Sequence, residues 1–441
     1  MPFAPWCTPC QASSSGARDE ACEIDRQAGM HGRPSTREDV VSPLPATRGD
    51  PRARTGVAMR LSRAERSLLS DWWFTVDRLL LAALLVIIGI GLLLSLAASP
   101  SIALKRGLPA FYFTERHVVF ALASAAVLFT VSLASPRTVR RLALAVFVVA
   151  CLLMLAVVMT GAEIKGARRW LQLAGYSLQP SEFAKPAFVV LSAWLLGEAE
   201  RRPDMPAAAM ANLLYLLFAA LLLVQPDVGQ TLLISLVAFS LLLLAGRPLR
   251  WFLACAAALP AVLFAARAKF AYVRLRLDHF LNPALGDGFQ TDRALQSFAE
   301  GGLFGKGPGE GTIKGVLPDA HTDFIFAVIG EEYGVLACLL VVALFALVAL
   351  RALARCSDAP TPFARLAAAG LTLLFTLQAM INMAVNVGLL PAKGMTLPFI
   401  SSGGSSMLAV GLGVGMLLAV TRRLPKEARF ARPAFTADPP A

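Results

Sequence analysis

Residues 79–98 read LLLAALLVIIGIGLLLSLAA, twenty positions without a charge. At about 1.5 Å per residue such a run crosses the ~30 Å hydrocarbon core of a bilayer, so it predicts a transmembrane helix. Comparable apolar runs recur near 118–135, 142–160, 182–198, 207–224, 228–246, 251–266, 323–350, 366–390 and 399–421. The expected fold is therefore all-α, a polytopic membrane protein with ten transmembrane helices. Composition agrees: of 441 residues 56% are hydrophobic and 16% charged, with a mean hydropathy of +0.63. Surplus apolar area of this size needs lipid to cover it, which excludes free-standing soluble enzymes, secreted disulfide scaffolds and disordered chains.

An even number of spans places both termini on one side. The loops assigned to that side carry Arg137, Arg140, Arg141, Arg201, Arg202, Arg247, Arg250, Arg351, Arg355 and Arg365, and the C-terminal tail adds Arg422, Arg423, Lys426, Arg429 and Arg432. By the positive-inside rule that side is the cytoplasm. The excess of 41 Lys and Arg over 29 Asp and Glu, a net +12, thus reports topology and not a nucleic-acid partner. The one large loop, 267–322 between helices 7 and 8, then lies outside, yet it holds Lys269, Arg274, Arg276, Arg293, Lys306 and Lys314. Long loops translocate regardless of charge. The alternative is an outward-facing site for an anionic headgroup, to which Lys165, Arg168 and Arg169 of another outer loop would contribute.

Residues 1–70, rich in Ser, Pro, Gly and Arg and free of apolar runs, are expected to form a disordered cytoplasmic tail. From Met59 the chain reads MRLSRAERSLLSDWWFTVDRLL, a basic amphipathic beginning with Trp72 and Trp73 at interface level, so 1–58 is expected to be a mis-assigned start. The 79–98 run is too long for a signal-peptide core and lacks a matched cleavage site. The membrane domain is expected over 71–425, followed by a short cytoplasmic tail over 426–441. Cys151, Cys255 and Cys338 sit in apolar runs and Cys356 in a short loop, where they read as packing residues. Cys7 and Cys10 form a CxxC without the second ligand pair of a zinc ribbon.

Chemistry concentrates in the outer segments. GKGPGEG at 305–311 lacks the spacing, the Ser or Thr and the preceding strand of a phosphate loop, and reads as glycine turns, a candidate lid. VLPDAHTDFIFAVIGEEYG follows at 316–334, with a helix expected to start near Thr322 or Asp323. Asp323 at the mouth of an apolar helix is either an N-terminal cap or a carboxylate whose basicity is tuned for general-base work. Glu331 and Glu332, two turns deeper, point to an interior cavity because charge facing lipid is costly. His321 and Asp323 have weak metal spacing. Neither an HExxH nor a GxSxG motif occurs.

GARRWLQLAGYSLQPSEFAK at 166–185 carries Arg168, Arg169, Glu182 and Lys185, the last two at i and i+3 on one helical face. They form either a self-neutralising ion pair or part of a polar site. QPDVGQT at 225–231 places Asp227 in a Pro/Gly break, and PAKGMTLPFISSGGSS at 391–406 places Lys393 in another. Such breaks are tolerated at membrane depth beside a cavity or within packed protein.

KGARRW, QPSEFAK, QPDVGQT, LPDAHTDFIFAVIGEE and GMTLPFISSGGSS, in that order across residues 70–425, resemble the SEDS family of shape, elongation, division and sporulation proteins. Gln230 after the Gly of QPDVG and Lys393 before GMTLP resemble the division branch more than the elongation branch. Ser402 stands where the family commonly has Tyr, and DAHTDF replaces the more usual EAHTDF. The resemblance implies a peptidoglycan glycosyltransferase that polymerises lipid II, the undecaprenyl-pyrophosphate-linked disaccharide-pentapeptide, at the outer face of the inner membrane and at the division septum. It implies Asp323 as catalytic base in an inverting transfer, with Arg168, Arg169, Lys185 and Lys393 as candidates for holding pyrophosphate and Glu182, Asp227 and His321 as further substrate-site residues. No cofactor is required by it, although a divalent cation fits beside the pyrophosphate. A class B penicillin-binding transpeptidase and other division proteins are the implied partners. A lipid II flippase and a non-catalytic division scaffold are the alternatives. A flippase needs a polar path through the bilayer, whereas the strongest charge cluster sits at one face; a scaffold leaves buried carboxylates unexplained.

Overall fold

The computed structural model describes residues 68–423 except 106, 165–166, 174–175, 203, 392–393 and most of 248–288. Helices α1 (Leu68–Thr75), α2 (Arg78–Lys105), α3 (Tyr112–Ser132) and α4 (Pro136–Thr160) open the chain. α5 (Pro180–Arg201), α6 (Ala207–Val224) and α7 (Val228–Leu244) follow, and then α8 (Phe289–Gly301), α9 (Ile325–Ser357), α10 (Pro362–Asn386) and α11 (Gly404–Val420). Of these, α2, α3, α4, α6, α9 and α10 are long and apolar enough to cross a membrane, while α7 and α11 are shorter apolar helices. The expected span at 251–266 lies outside the described residues, as do most of the N-terminal stretch and the tail beyond 423. Helix α1 begins at Leu68, three residues inside the stretch expected to be tail.

The expectation of an all-α chain needs one correction. Strands β1 (Ala162–Ile164), β2 (Ala167–Leu173) and β3 (Tyr176–Leu178) form an antiparallel meander between α4 and α5. Its signal is local: ARRWLQL is bounded by the pairs Lys165–Gly166 and Ala174–Gly175, the X-Gly pattern of tight hairpins. Cys356, expected in a loop, lies in the last turn of α9.

Helix α5 is the hub, buried along nearly its whole length and packed against α4, α6, α7, α10 and α11. That burial is why a charged helix is tolerated there. Lipid-type exposure falls instead on outer helices such as α4, where Leu144, Val148, Leu152, Leu155 and Met159 face outward. Helix α11 lies unusually close to α3: a Cβ on Gly411 would stand 2.4 Å from Ser124 Oγ, and one on Gly415 2.9 Å from the Leu128 carbonyl. Small residues one turn apart permit this approach, and Ser124 Oγ donates to the Met407 carbonyl at 2.6 Å.

At the cytoplasm-assigned end, Asp77 accepts the Leu80 amide at 3.0 Å and the Arg351 guanidinium at 3.0 Å, and also pairs with Arg355. Burial alone would raise this carboxyl, but the Leu80 amide and the two guanidiniums outweigh it and hold it below the usual carboxylate range.

Helix α9 is broken at Gly334 (φ 78°, ψ 178°). The chain just after α8 fills the break: the Gly302 and Leu303 carbonyls accept the Val335 and Leu336 amides at 3.0 and 3.3 Å, and the Lys306 and Gly307 amides donate to the Glu331 and Glu332 carbonyls at 3.0 Å each. Backbone groups orphaned by the break are thereby satisfied.

Candidate active site

The glycine-rich segment 305–315 is pinned, not a lid. Glu331 accepts the amides of Thr312, Ile313 and Lys314 at 2.6, 2.8 and 3.0 Å. Lys314 pairs with Glu332 and donates to the Gly309 and Ala97 carbonyls at 2.9 and 3.1 Å. The two deep carboxylates therefore hold a loop in place, where the sequence suggested a cavity. Lys306 pairs with Glu300, and that hydrogen bond leads the effects that keep the exposed carboxyl below its ordinary range.

The HTDF residues form a tight turn ahead of α9. Asp319, at φ 54°, offers one carbonyl to the amides of Thr322, Asp323 and Phe324 at 3.0, 3.1 and 3.3 Å. The helix starts at Ile325, and its boundary residue Phe324 makes no side-chain cap. Asp323 thus lies outside the capping position, two residues short of the helix. Three successive carbonyls of the turn are anchored. The Ser402 amide donates to His321 O at 3.0 Å, and the Ser401 hydroxyl to Thr322 O at 2.5 Å. The amides of Asn382 and Asn386 donate to Asp323 O at 2.9 and 3.0 Å. Asn386 Oδ1 also accepts the Ala327 amide at 3.0 Å, and Asn382 Nδ2 reaches Met395 O at 2.6 Å.

The carboxylate itself faces Gly394: a Cβ built there would stand 3.5 Å from Asp323 Oδ2. A glycine opposite the carboxylate sets no side chain against it. Lys393 precedes Gly394 in sequence and lies outside the described residues.

The remaining site candidates fall into two groups around α5. Lys185, buried, donates to Glu182 Oε1 and Gln230 Oε1 at 2.9 Å each and to Gln378 Oε1 at 3.2 Å. Three ammonium protons meet three acceptors. Gln230 Nε2 returns to Glu182 Oε1 at 2.9 Å, and Gln378 Nε2 continues to Thr396 O at 3.2 Å, one residue past Met395. Arg169 donates to Gln225 O at 3.2 Å and also to Pro226 O, with Asp227 Oδ1 3.7 Å away. Asp227 in turn caps α7 through the Gln230 amide at 3.3 Å. Arg169 thus ties the meander to the Pro/Gly break, while its strand neighbour Arg168 is exposed.

The structure accordingly brings His321 and Asp323 into one turn, joins Glu182 with Lys185, and joins Arg169 with Asp227. It adds Asn382, Asn386, Gln378 and Ser401, which sequence reasoning missed. Among the described residues no three His, Cys, Asp or Glu side chains converge on a point that could hold a metal ion.

Beside the turn is a cavity of about 170 Å³ whose lining includes Arg116 and His117 of α3, Ser177 of β3, His321, Ser402 and Gly404.

A probable peptidoglycan glycosyltransferase FtsW of Caulobacter vibrioides is 45% identical over 365 residues, 82% of this chain and 94% of that one. Among solved structures, a chain from a study of how a peptidoglycan synthase complex coordinates polymerization and crosslinking matches 82% of this chain and all of its own, at 27% identity and a TM-score of 0.65. The rod shape determining protein RodA of Thermus thermophilus matches 82% of this chain and 99% of its own, at 27% identity and a TM-score of 0.59. The model of the cell cycle protein family named for FtsW, RodA and SpoVE matches residues 77–426, and the chain belongs to that family, the SEDS proteins.

Proposed function

We propose that this protein is a peptidoglycan glycosyltransferase that polymerises lipid II, with Asp323 as general base. The observation that carries the reading is the anchoring of three consecutive carbonyls around Asp323, which presents one carboxylate opposite a glycine at the loop end of the bundle. A base must be held in place to act, because misplacement by an ångström removes most of its value. The family relationship and the relatives' names support the same activity.

In the reaction, Asp323 takes the proton of the acceptor sugar hydroxyl as that oxygen attacks the anomeric carbon of the growing glycan. The new C–O bond forms on the face opposite the departing undecaprenyl pyrophosphate, so the centre inverts. The leaving group carries off the electron pair of the broken bond, and fixed cations nearby stabilise its growing charge. Arg168, exposed on the meander, and Lys393, beside Gly394, are suited to that role. Arg169, Asp227, Glu182 and Lys185 are committed to one another and act as the frame. We propose with it that the turn lies outside the membrane, that the chain has ten spans with both termini in the cytoplasm, and that the enzyme works in the inner membrane at the division septum beside a class B penicillin-binding transpeptidase.

Purified protein, with and without such a transpeptidase, would be given lipid II and the glycan products resolved by length. Asp323→Asn keeps volume and removes the basic oxygen, and should abolish polymer while leaving the melting temperature unchanged. Polymer at a near wild-type rate would end the general-base assignment.

A further inference from the structure

His117 is 2% exposed, and it is not used by the chemistry above. Its Nδ1 lies 3.1 Å from Ser402 Oγ, while Nε2 has no hydrogen-bond partner among the described residues. A buried ring nitrogen without a partner is rare in folded proteins, because the lost hydration is not replaced. Here the same ring lines the cavity beside the HTDF turn.

Two further features give the cavity a sign. Among the described residues its ionisable lining is Arg116, His117 and His321, with no carboxylate. Helix α11 begins at its wall, where the boundary residue Gly403 makes no side-chain cap, so the first amides of that helix are oriented as anion donors. The His321 carbonyl, bonded to the Ser402 amide, makes the cavity and the Asp323 turn parts of one rigid unit.

We propose that this cavity seats the phosphate end of the lipid-linked substrate and that His117 Nε2 donates a hydrogen bond to a phosphoryl oxygen. In this arrangement Nδ1 accepts from the Ser402 hydroxyl 3.1 Å away while the proton on Nε2 makes that nitrogen the donor. His117 is then a substrate-contacting residue, and Ser402 a positioning residue acting through it. The inference rests on the glycosyltransferase reading, in which both the growing strand and the incoming lipid II carry the same pyrophosphate.

The test uses the full chain in lipid nanodiscs and farnesyl pyrophosphate as probe, with farnesol as the uncharged control, and reads binding by calorimetry. His117→Phe should weaken pyrophosphate binding about tenfold or more, His117→Gln should keep it within about threefold because the amide still donates, and farnesol binding should not change. Ser402→Ala, which frees the ring without removing it, should weaken pyrophosphate binding severalfold and carries the test alone if His117→Phe does not fold. Unchanged affinity in either variant at an unchanged melting temperature would overturn the site, as would wild-type binding of farnesol equal to that of its pyrophosphate. Lipid II polymerisation by the same preparations separates the carriers: a raised KM at normal strand length assigns the incoming substrate, and shortened strands assign the growing one. Histidine-dependent pyrophosphate binding in a wild-type protein that makes no polymer would leave the site standing and remove the reaction. Polymer formation with binding indifferent to His117 would do the reverse.

Discussion

Asn382 Nδ2 stands 2.9 Å from the carbonyl oxygen of Asp323 and 2.6 Å from that of Met395. One side chain of α10 thus fixes the turn that carries the carboxylate and the segment whose Gly394 faces it. Asn386 and Gln378 of the same helix support the two partners through Asp323 O and Thr396 O, and Asn382 alone bonds both.

Asn382→Ala is expected to lower turnover far more than it weakens substrate binding. Loss of the amide takes the donor from the Met395 carbonyl and leaves Asp323 O with Asn386 alone, a cost of about 1–3 kcal/mol for the carbonyl left unsatisfied, and lets the carboxylate drift from the acceptor hydroxyl. Polymerisation rates at several lipid II concentrations, alongside melting temperatures, check this. A raised KM with kcat intact would mean that Asn382 serves binding and not alignment.

Asn382 also marks where sequence reading stopped. Gln378, Asn382 and Asn386 recur every fourth residue in an otherwise apolar helix, a polar stripe that in a membrane marks buried contacts. The search for site residues followed charge, and amides carry none. The apolar runs were legible because hydrocarbon thickness constrains them directly, and Asp323 because a carboxylate at a span mouth is costly without a purpose. Its place outside the helix cap was not legible, since it depends on the Asp319 turn and on Ser401, Ser402 and two asparagines distant in the chain. The meander was signalled only by the glycine pairs that bound ARRWLQL, since Arg169 and Trp170 break the alternation of a strand. Glu331 and Glu332 announced burial correctly, yet only the folded loop reveals that their partners are backbone amides and Lys314.

Lys185→Met alone should destabilise the fold by about 3–5 kcal/mol, because it strands the buried Glu182 carboxylate. The double change Glu182→Gln with Lys185→Met should recover most of that loss, since an uncharged pair leaves no stranded charge. Thermal unfolding in detergent with measured lipid II affinity decides between frame and ligand: reduced affinity at an unchanged melting temperature would make Lys185 a phosphate ligand instead.

Asp77→Asn should lower the melting temperature at neutral pH, and the difference from wild type should shrink in acid. The carboxyl is held below its ordinary value of 3.8, so its contribution is fully present above that value and disappears as pH falls through the lower, folded-state value. Melting curves of both proteins from pH 7 down to about pH 3 provide the check. A difference independent of pH would show that shape, not charge, is what Arg351 and Arg355 recognise.

Gly334→Ala should be among the most damaging single changes in the protein. The residue sits at φ 78°, where a side chain costs about 1–3 kcal/mol by itself, and its Cβ would meet the Leu303 carbonyl at 2.3 Å and the Gly305 amide nitrogen at 2.5 Å. Both obstacles are backbone, so neither can rotate aside. Gly309→Ala is the matched control, with φ 89° and nothing within 4 Å of the added carbon. It should show the conformational cost alone, and the excess loss in Gly334→Ala measures the collision. Because the half-helix from Ile325 to the break continues directly from the HTDF turn, displacement at Gly334 should also reduce polymerisation per folded molecule, whereas Gly309→Ala should spare it. Equal losses of stability in the two variants would mean that the 301–307 segment yields, and that the break in α9 is not what holds Asp323 in register.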